Sequence, residues 1–199
     1  MRGPTALTLD LDDTLLDGCG LEESIVRVCV NLADLHPALD AARLRSANAE
    51  AWMEYWLVVE DDWTLGRLDS ASFSFEVWRR TLLKCGCTDD AVAKSARDLF
   101  RDCASESHRL YDDVQELFDF VEAAEIPIAL ITNGATDVQR EKLEVLGIED
   151  RFVTIVVSGE LGAAKPNALP FDTAVRALDA DPSRTWHVGD NLSNDVAGA

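Results

Sequence analysis

The stretch IPIALITNGATDVQREKLEVLG, residues 126–147, contains a complete strand–turn–helix unit, and the fold class follows from it. Its first seven residues, Ile126–Thr132, are almost continuously apolar and predict a buried strand. The segment Asp137–Leu146 has apolar residues at helical spacing and ends before Gly147, a residue type that commonly follows a helix. A buried strand followed by a helix is the unit from which parallel sheets with helices on both faces are built.

The same alternation of strands and helices continues on both sides of this unit. An amphipathic helix is predicted before it at Asp112–Ala124, and strands are predicted after it at Phe152–Ser158 and Thr185–Gly189. The helix Ala168–Leu178 separates these two strands, and the apolar run Thr5–Leu11 supplies a further strand near the start of the chain. Together these segments predict an α/β fold with a Rossmann-like, three-layer parallel sheet.

A long stretch from about Leu21 to Arg109 shows no strand pattern. Its apolar residues recur at helical spacing in four segments, which are Glu22–Leu32, Ala41–Val59, Ser70–Leu83 and Asp89–Ser105. We therefore predict an α-helical cap at residues 18–108, inserted into an α/β core formed by residues 1–17 and 109–199.

Composition and charge limit the class of protein. The chain has 199 residues, of which 47% are hydrophobic and 28% charged, as in globular proteins. Asp10, Asp12 and Asp13 interrupt the early apolar stretch, so we predict no signal peptide and a cytoplasmic location. Acidic residues outnumber basic ones by 37 to 18, giving a net charge of −19, and such a surface repels nucleic acid and anionic membranes. We expect neither as a partner.

Polar residues follow the carboxyl ends of the predicted strands, where open α/β sheets bind their ligands. They are Asp10, Asp12, Thr132, Asn133, Gly134, Lys165, Asp190 and Asp195. Asp10, Asp12 and Asp190 carry hard oxygen ligands, which suit Mg²⁺ better than zinc. Carboxylates packed this closely repel one another unless a divalent ion or Lys165 neutralises them. We therefore expect a magnesium site at this edge of the sheet.

Other groups at the same edge are suited to bind a phosphoryl group. The Thr132 hydroxyl, the backbone N–H groups around Asn133 and Gly134 at a helix start, and the Lys165 ammonium are all donors to anionic oxygen. Carboxylates also serve as nucleophiles that become aspartyl-phosphates. The predicted chemistry is therefore phosphoryl transfer.

Four segments of the chain, taken in order, resemble the motifs of the haloacid dehalogenase superfamily. They are D-x-D-x-T at Asp10–Thr14, a threonine after the second strand at Thr132, the distant Lys165, and G-D-x-x-x-x-D from Gly189 through Asp195. The resemblance covers the whole chain. The helical insertion directly after the first motif resembles the small helical cap of one subfamily.

The resemblance implies a Mg²⁺-dependent phosphohydrolase that acts through an aspartyl-phosphate. Asp10 would be the nucleophile and a magnesium ligand. Asp12 would protonate the leaving alcohol and then activate water, with its backbone carbonyl on the metal.

The remaining motifs imply supporting roles. Thr132 would hydrogen-bond the phosphoryl group, and Lys165 would offset charge on that group and on Asp10. Asp190 would ligate magnesium, with Asp195 as a direct or water-mediated helper. Arg67 follows Gly66 where caps of this kind often project a specificity loop, and we expect it as a candidate substrate contact. His187, on the last predicted strand, is expected to be a core side chain.

Several alternatives remain open. Asp12 favours a phosphatase over a dehalogenase, because true haloacid dehalogenases lack the second carboxylate of the first motif. A phosphomutase acting on a sugar phosphate uses the same residues. The chain ends at Ala199, just after the fourth motif, where relatives continue through another strand and helix, so we expect that strand and helix to be missing. A non-catalytic phospholigand-binding fragment is the third alternative.

Overall fold

The computed structural model describes residues 3–199. It divides into two compact units. Of the described residues, the first contains 3–18, 63–67 and 109–199, and the second contains 19–62 and 68–108. Segment 63–67 therefore groups with the first unit, whereas the predicted boundaries placed it in the cap. The predicted assignment of core and cap roles stays a prediction.

The first unit contains a four-stranded parallel sheet. Its strands are β1 (Ala6–Leu9), β2 (Ile128–Thr132), β3 (Thr154–Val157) and β4 (Thr185–Val188), arranged in the order β3-β2-β1-β4. β1 pairs with both β2 and β4, so the strand nearest the start of the chain is central. The predicted α/β parallel sheet is confirmed.

The helices alternate with these strands or lie in the second unit. In chain order they are α1 (Cys19–Leu35), α2 (Ala41–Thr64), α3 (Ser70–Lys84), α4 (Asp90–Ser107), α5 (Val114–Ala123), α6 (Thr136–Leu146), α7 (Ser158–Leu161) and α8 (Ala168–Ala177). Short 3₁₀ turns at Glu149–Arg151 and Pro182–Arg184 and a π-helical turn at Leu192–Val196 complete the fold. Among residues 3–199, no helix combines the length and apolar character needed to span a bilayer.

Successive strand residues face opposite sides of the sheet, so each face has its own apolar cluster. One cluster combines alternate strand residues with α5 and α6, and its members include Leu7, Leu9, Ile128, Leu130, Val114, Phe118, Val121 and Leu143. The other combines the intervening strand residues with α8, and its members are Ala6, Ala129, Ile131, Val156, Ala174 and Leu178. Helices therefore cover both faces, which gives the predicted three layers.

The observed strands are shorter than the apolar runs that predicted them. β2 begins at Ile128 rather than Ile126, because Pro127 has no N–H for a ladder and the Ile126 N–H already bonds the carbonyl of Val121. β3 spans Thr154–Val157 and is shorter than the predicted strand Phe152–Ser158. Ser158 instead begins the short helix α7, which is followed by Gly162 in the left-handed conformation.

The second unit is helical, as predicted for the cap. α1, α3 and α4 pack around a buried cluster that includes Val28, Leu32, Leu44, Trp78, Leu82 and Ala96. Asp69 and Asp89 cap α3 and α4, because each side chain accepts a backbone N–H of the first helical turn.

Candidate functional site

The turn after β1 places the first predicted site residues at the carboxyl edge of the sheet. The Asp10 N–H still bonds the carbonyl of Val188 on β4, at 2.9 Å. The Leu11 carbonyl then accepts the N–H groups of Leu15 and Leu16, each at 2.9 Å, so the chain turns sharply. This turn ends β1 at Leu9, short of the predicted Leu11, and leaves Asp10 only 6% exposed.

Lys165 lies between two buried carboxylates. Its Nζ is 2.6 Å from Asp10 Oδ1 and 2.6 Å from Asp195 Oδ1. The three side chains are 3%, 9% and 1% exposed, for Lys165, Asp10 and Asp195 respectively. One cation against two carboxylates leaves one negative charge in excess in a poorly solvated place.

The two carboxylates differ in their pKa. Burial raises the pKa of Asp10 to about 6, although Lys165 opposes the shift. Burial also disfavours the charged form of Asp195, but hydrogen bonds from Lys165 and His187 outweigh that effect and lower its pKa. The Asn191 N–H adds a further bond to Asp195 Oδ2, at 3.0 Å. The excess negative charge is therefore least stabilised on Asp10. Of these two carboxylates, Asp10 gains more from binding a proton or a metal cation.

Asp190 completes a group of three carboxylates. Ligand oxygens of Asp10, Asp190 and Asp195 all lie within 4.8 Å of one another. Asp10 and Asp195 are buried and Asp190 is exposed, so the group is open on one side. The Asp195 side chain can lie this close to the backbone at position 189 because Gly189 has no side chain. A Cβ there would lie 2.3 Å from Asp195 Cγ. Such a set of oxygen donors suits a hard divalent cation.

The Asp12 carboxylate has different partners from the other site carboxylates. Lys142 Nζ lies 2.6 Å from Asp12 Oδ1, and Gln139 Nε2 lies 2.9 Å from Asp12 Oδ2. Gln139 also donates to the Thr132 hydroxyl oxygen at the end of β2. Sequence reasoning missed both α6 residues. The available signal was two polar residues at i and i+3 on the helix that directly follows the Thr132 motif.

Asn133 and Gly134 have structural partners. The Asn133 side chain bonds the backbone N–H and carbonyl of Lys165, each at 2.9 Å, and so holds the backbone that carries the lysine. The Gly134 N–H, predicted to face a phosphoryl group, instead donates to Ser158 Oγ at 2.9 Å. This bond joins the turn after β2 to the start of α7 after β3, so the amide is not available to a phosphoryl group in this arrangement.

His187 was predicted to be a core side chain, and the structure buries it in contact with Asp195. Its side chain is 3% exposed, but its Nε2 is 3.0 Å from Asp195 Oδ1 and its Nδ1 is 2.9 Å from Thr8 Oγ1. Burial lowers the pKa of His187, which favours the neutral ring. A neutral ring satisfies both bonds if Nε2–H donates to Asp195 and Nδ1 accepts the Thr8 hydroxyl. The sequence signal that could have indicated this contact was the alternation of residues along β4. It places His187 on the same face of the sheet as Gly189, which belongs to the fourth motif.

Segment 63–67, which carries Arg67, approaches the turn after β3. Ser158 Oγ donates to the carbonyl of Thr64. Gly66 has a φ of +68°, and a Cβ there would lie 2.7 Å from Gly159 Cα. Glycine is therefore required at position 66, both for the left-handed backbone and for the close approach. Arg67 itself is exposed, and its contact with a substrate stays a prediction.

Comparison with known proteins agrees with the four motifs. A family model described as haloacid dehalogenase-like hydrolase matches residues 4–199. The chain belongs to this family. The hydrolase is 30% identical to phosphoserine phosphatase from Thermus thermophilus, across 97% of this chain and 83% of that protein. It is 28% identical to the 5-amino-6-(5-phospho-D-ribitylamino)uracil phosphatase of Escherichia coli, across 98% of this chain and 79% of that protein.

A solved structure shares the fold of the hydrolase. The HAD-hydrolase YfnB from Bacillus subtilis superimposes with a TM-score of 0.70 at 21% sequence identity, covering 99% of this chain and 82% of that chain. The match to the family model and the similarity to phosphoserine phosphatase confirm the resemblance inferred from the ordered motifs, and the shared fold agrees with it.

Proposed function

We propose that this hydrolase removes the phosphoryl group from a small-molecule phosphate monoester, with Mg²⁺ as cofactor and an aspartyl-phosphate on Asp10 as intermediate. The observation that carries the proposal is the arrangement of Asp10 and Asp195 around the single Lys165 ammonium. It leaves Asp10 buried, incompletely neutralised and next to Asp190. A nucleophilic carboxylate beside a cation site is what phosphoryl transfer through a covalent intermediate requires.

The residues present fit a magnesium ion. Asp10, Asp190 and Asp195 would hold it with carboxylate oxygens, and the open side next to Asp190 leaves room for water and substrate oxygens. When bound, the ion supplies positive charge that offsets both the excess carboxylate charge and the charge of the phosphoryl group. We further propose that the backbone carbonyl of Asp12 is a ligand, as the family resemblance implies.

Two steps by residues of this chain account for the reaction. Asp10 attacks the phosphorus, the ester P–O bond breaks, and Asp12 donates its proton to the departing oxygen. The Asp12 carboxylate then takes a proton from a water molecule, whose oxygen attacks the phosphorus. The P–O bond to Asp10 breaks, and inorganic phosphate and the Asp10 carboxylate are released.

Two further groups support these steps. Lys165 orients Asp10 through the 2.6 Å bond and offsets charge on the transferred group. The Thr132 hydroxyl, at the end of β2, would bind a phosphoryl oxygen. Asn133 acts by holding the backbone of Lys165 rather than by direct phosphate contact.

The relatives support a small substrate. Both curated relatives are named as phosphatases of small phosphorylated molecules, and the two named molecules differ in structure. We therefore propose the class of phosphate monoesters and not one compound, with Arg67 as a specificity contact. The five cysteines carry free thiols, which supports the proposed cytoplasmic location.

A panel of phosphate esters with Mg²⁺ tests this function. Release of inorganic phosphate from at least one ester by the wild-type protein, and its loss in Asp10→Asn, are the expected results. Asp172→Asn removes an exposed carboxylate of α8 and serves as the matched control that keeps activity. Release at the same rate by Asp10→Asn contradicts the proposal. An isomerised sugar phosphate without free phosphate identifies a mutase instead.

A further inference from the structure

The Asp12 carboxylate is held at both oxygens by side chains of one helix. Lys142 bonds Oδ1 at 2.6 Å and Gln139 bonds Oδ2 at 2.9 Å. Lys142 also donates to Gln139 Oε1 at 2.8 Å, so the three side chains form a closed ring of hydrogen bonds. A carboxylate fixed through both oxygens cannot rotate about its last bond without losing a bond.

Only one orientation of the Gln139 amide fits its surroundings. Its Nε2 faces two acceptors, Asp12 Oδ2 and Thr132 Oγ1, and its Oε1 faces the Lys142 ammonium. Turning the amide over would place its oxygen against two oxygens and its NH₂ against an ammonium. The side chain is 1% exposed, so no solvent replaces these partners. Both ends of the Gln139 amide are therefore hydrogen-bonded, and its Nε2 links Asp12 with Thr132.

The position of α6 explains how its side chains reach the site. The helix begins at Thr136, a short turn after Thr132, with its N-terminus at the carboxyl edge of the sheet. Side chains on a helix lean towards its N-terminus, and residues at i and i+3 lie on one face. Gln139 and Lys142 therefore point together at the edge where Asp12 lies.

The exposure of the ring fits a group that acts on substrate. The Lys142 side chain is 15% exposed and the Asp12 side chain is 39% exposed. The lysine end is thus mostly covered, while the carboxylate presents part of its surface to solvent. This contrasts with the Asp10 side chain, which is 9% exposed and is held by Lys165. The two carboxylates of the first motif have separate lysines.

We propose that Gln139 and Lys142 are positioning residues for Asp12, and that they align its carboxyl group with the oxygen of the leaving alcohol. The inference rests on the proposed function, since Asp12 must be the acid of the first step. Through Gln139 the same ring fixes the Thr132 hydroxyl, so the acid and a phosphoryl-binding group keep a constant relative position. Alignment of a proton donor is needed most when the leaving group is a poor one.

Leaving-group dependence distinguishes this role from a structural one. Phenyl phosphate and p-nitrophenyl phosphate are nearly equal in shape, but p-nitrophenolate departs readily without a proton and phenolate does not. Lys142→Met keeps the chain length and removes the ammonium. We expect the ratio of kcat/KM for phenyl phosphate to that for p-nitrophenyl phosphate to fall by about tenfold in Lys142→Met, and to recover in part in Lys142→Arg.

Control variants separate the possible outcomes. Arg140→Met removes a cation from the same helix, where Arg140 bonds Glu160 away from the ring, and should leave the ratio unchanged. Gln139→Leu should lower the ratio as Lys142→Met does. If the buried Gln139→Leu variant fails to fold, the partly exposed Lys142 variants decide the question.

Two results would overturn the inference. Equal losses with both esters in Lys142→Met indicate a structural or general electrostatic role, and an unchanged ratio with unchanged rates shows that the ring is dispensable. A wild-type protein that hydrolyses no ester of the wider panel refutes the proposed function itself, which is a different outcome from an unchanged ratio.

Discussion

Lys165 Nζ lies 2.6 Å from Asp10 Oδ1 and contributes the nearest positive charge to the carboxylate that is proposed to attack phosphorus. The same nitrogen is shared with Asp195, so Lys165 balances only one of the two charges. Asp195 has other donors in His187 and the Asn191 N–H, whereas the pKa of Asp10 rises to about 6. The site is therefore built with one buried negative charge that a cation or a proton must offset.

The excess charge predicts that Asp10→Asn stabilises the metal-free protein at pH 7. The pKa of Asp10 is about 6 in the folded state against 3.8 ordinarily, so the folded protein holds the proton more tightly and stability falls as pH rises from about 4 to above 6. The ionised side chain costs about 1–3 kcal/mol at pH 7. Urea unfolding with EDTA should show Asp10→Asn to be more stable by about this amount at pH 7 and by much less at pH 4. A less stable variant at pH 7 would show that the Lys165 ion pair outweighs the excess charge.

Magnesium should stabilise the wild-type protein in a pH-dependent manner. Binding to the folded state alone adds about 2.7 kcal/mol at one hundred times the dissociation constant. Protons compete for Asp10 below about pH 6, so the rise in Tm on adding MgCl₂ should be larger at pH 7 than at pH 5. Asp190→Asn should abolish most of the rise, and Asp172→Asn should keep it. An equal rise in Asp190→Asn would place the ion elsewhere.

The bond between Thr8 and His187 predicts an effect on both stability and rate. Thr8 is 2% exposed, and Thr8→Val keeps its shape but leaves His187 Nδ1 without the hydroxyl at 2.9 Å. We expect a loss of about 1 kcal/mol in the free energy of unfolding and a several-fold lower kcat, because His187 helps to hold Asp195 and thereby Lys165. Thr173→Val, which removes a hydrogen bond to the Leu169 carbonyl on α8, should lower stability only. An unchanged kcat in Thr8→Val would show that the bond between Thr8 and His187 does not contribute to the reaction.

Gly159 packs closely against the turn after β2, so a methyl group added at position 159 should strain the structure. A Cβ there would lie 2.8 Å from Thr136 Oγ1 and 2.9 Å from the carbonyl of Gly134. Gly159→Ala should cost about 1–3 kcal/mol of stability, since one of its neighbours is backbone and cannot rotate away. Gly3→Ala meets nothing within 4 Å and should stay within about 0.5 kcal/mol of wild type. Thermal and urea unfolding of both variants make the comparison.

Apolar patterning located the strands and the sheet edge, because buried strands require apolar runs and parallel strands end at one edge. For this reason the proximity of Asp10, Lys165 and Asp190 could be expected from sequence. The predicted positions of the strand ends were less accurate, because a strand end depends on single hydrogen bonds such as that from the Ile126 N–H to the Val121 carbonyl.

The supporting residues could not be found in this way. Gln139 and Lys142 belong to a helix whose apolar face was visible, but which polar residues lean onto the site depends on the three-dimensional turn before the helix. His187 has the spacing of a core residue, and its position two residues before Gly189 was a weak signal until the structure showed its partners Thr8 and Asp195. The Gly134 amide was assigned to a phosphoryl group because it lies near a helix start, and no sequence pattern indicated its bond to Ser158, 24 residues away.

Acid quenching during turnover, followed by mass spectrometry of the peptide that contains Asp10, tests whether this carboxylate carries the phosphoryl group. With Mg²⁺ and an ester that the wild-type protein hydrolyses, the peptide should gain one phosphoryl group at Asp10, and Asp12→Asn should gain it where a good leaving group permits the first step. Turnover with no phosphorylated peptide at any quench time, or a phosphoryl group on another residue, would contradict the assignment of Asp10 as nucleophile.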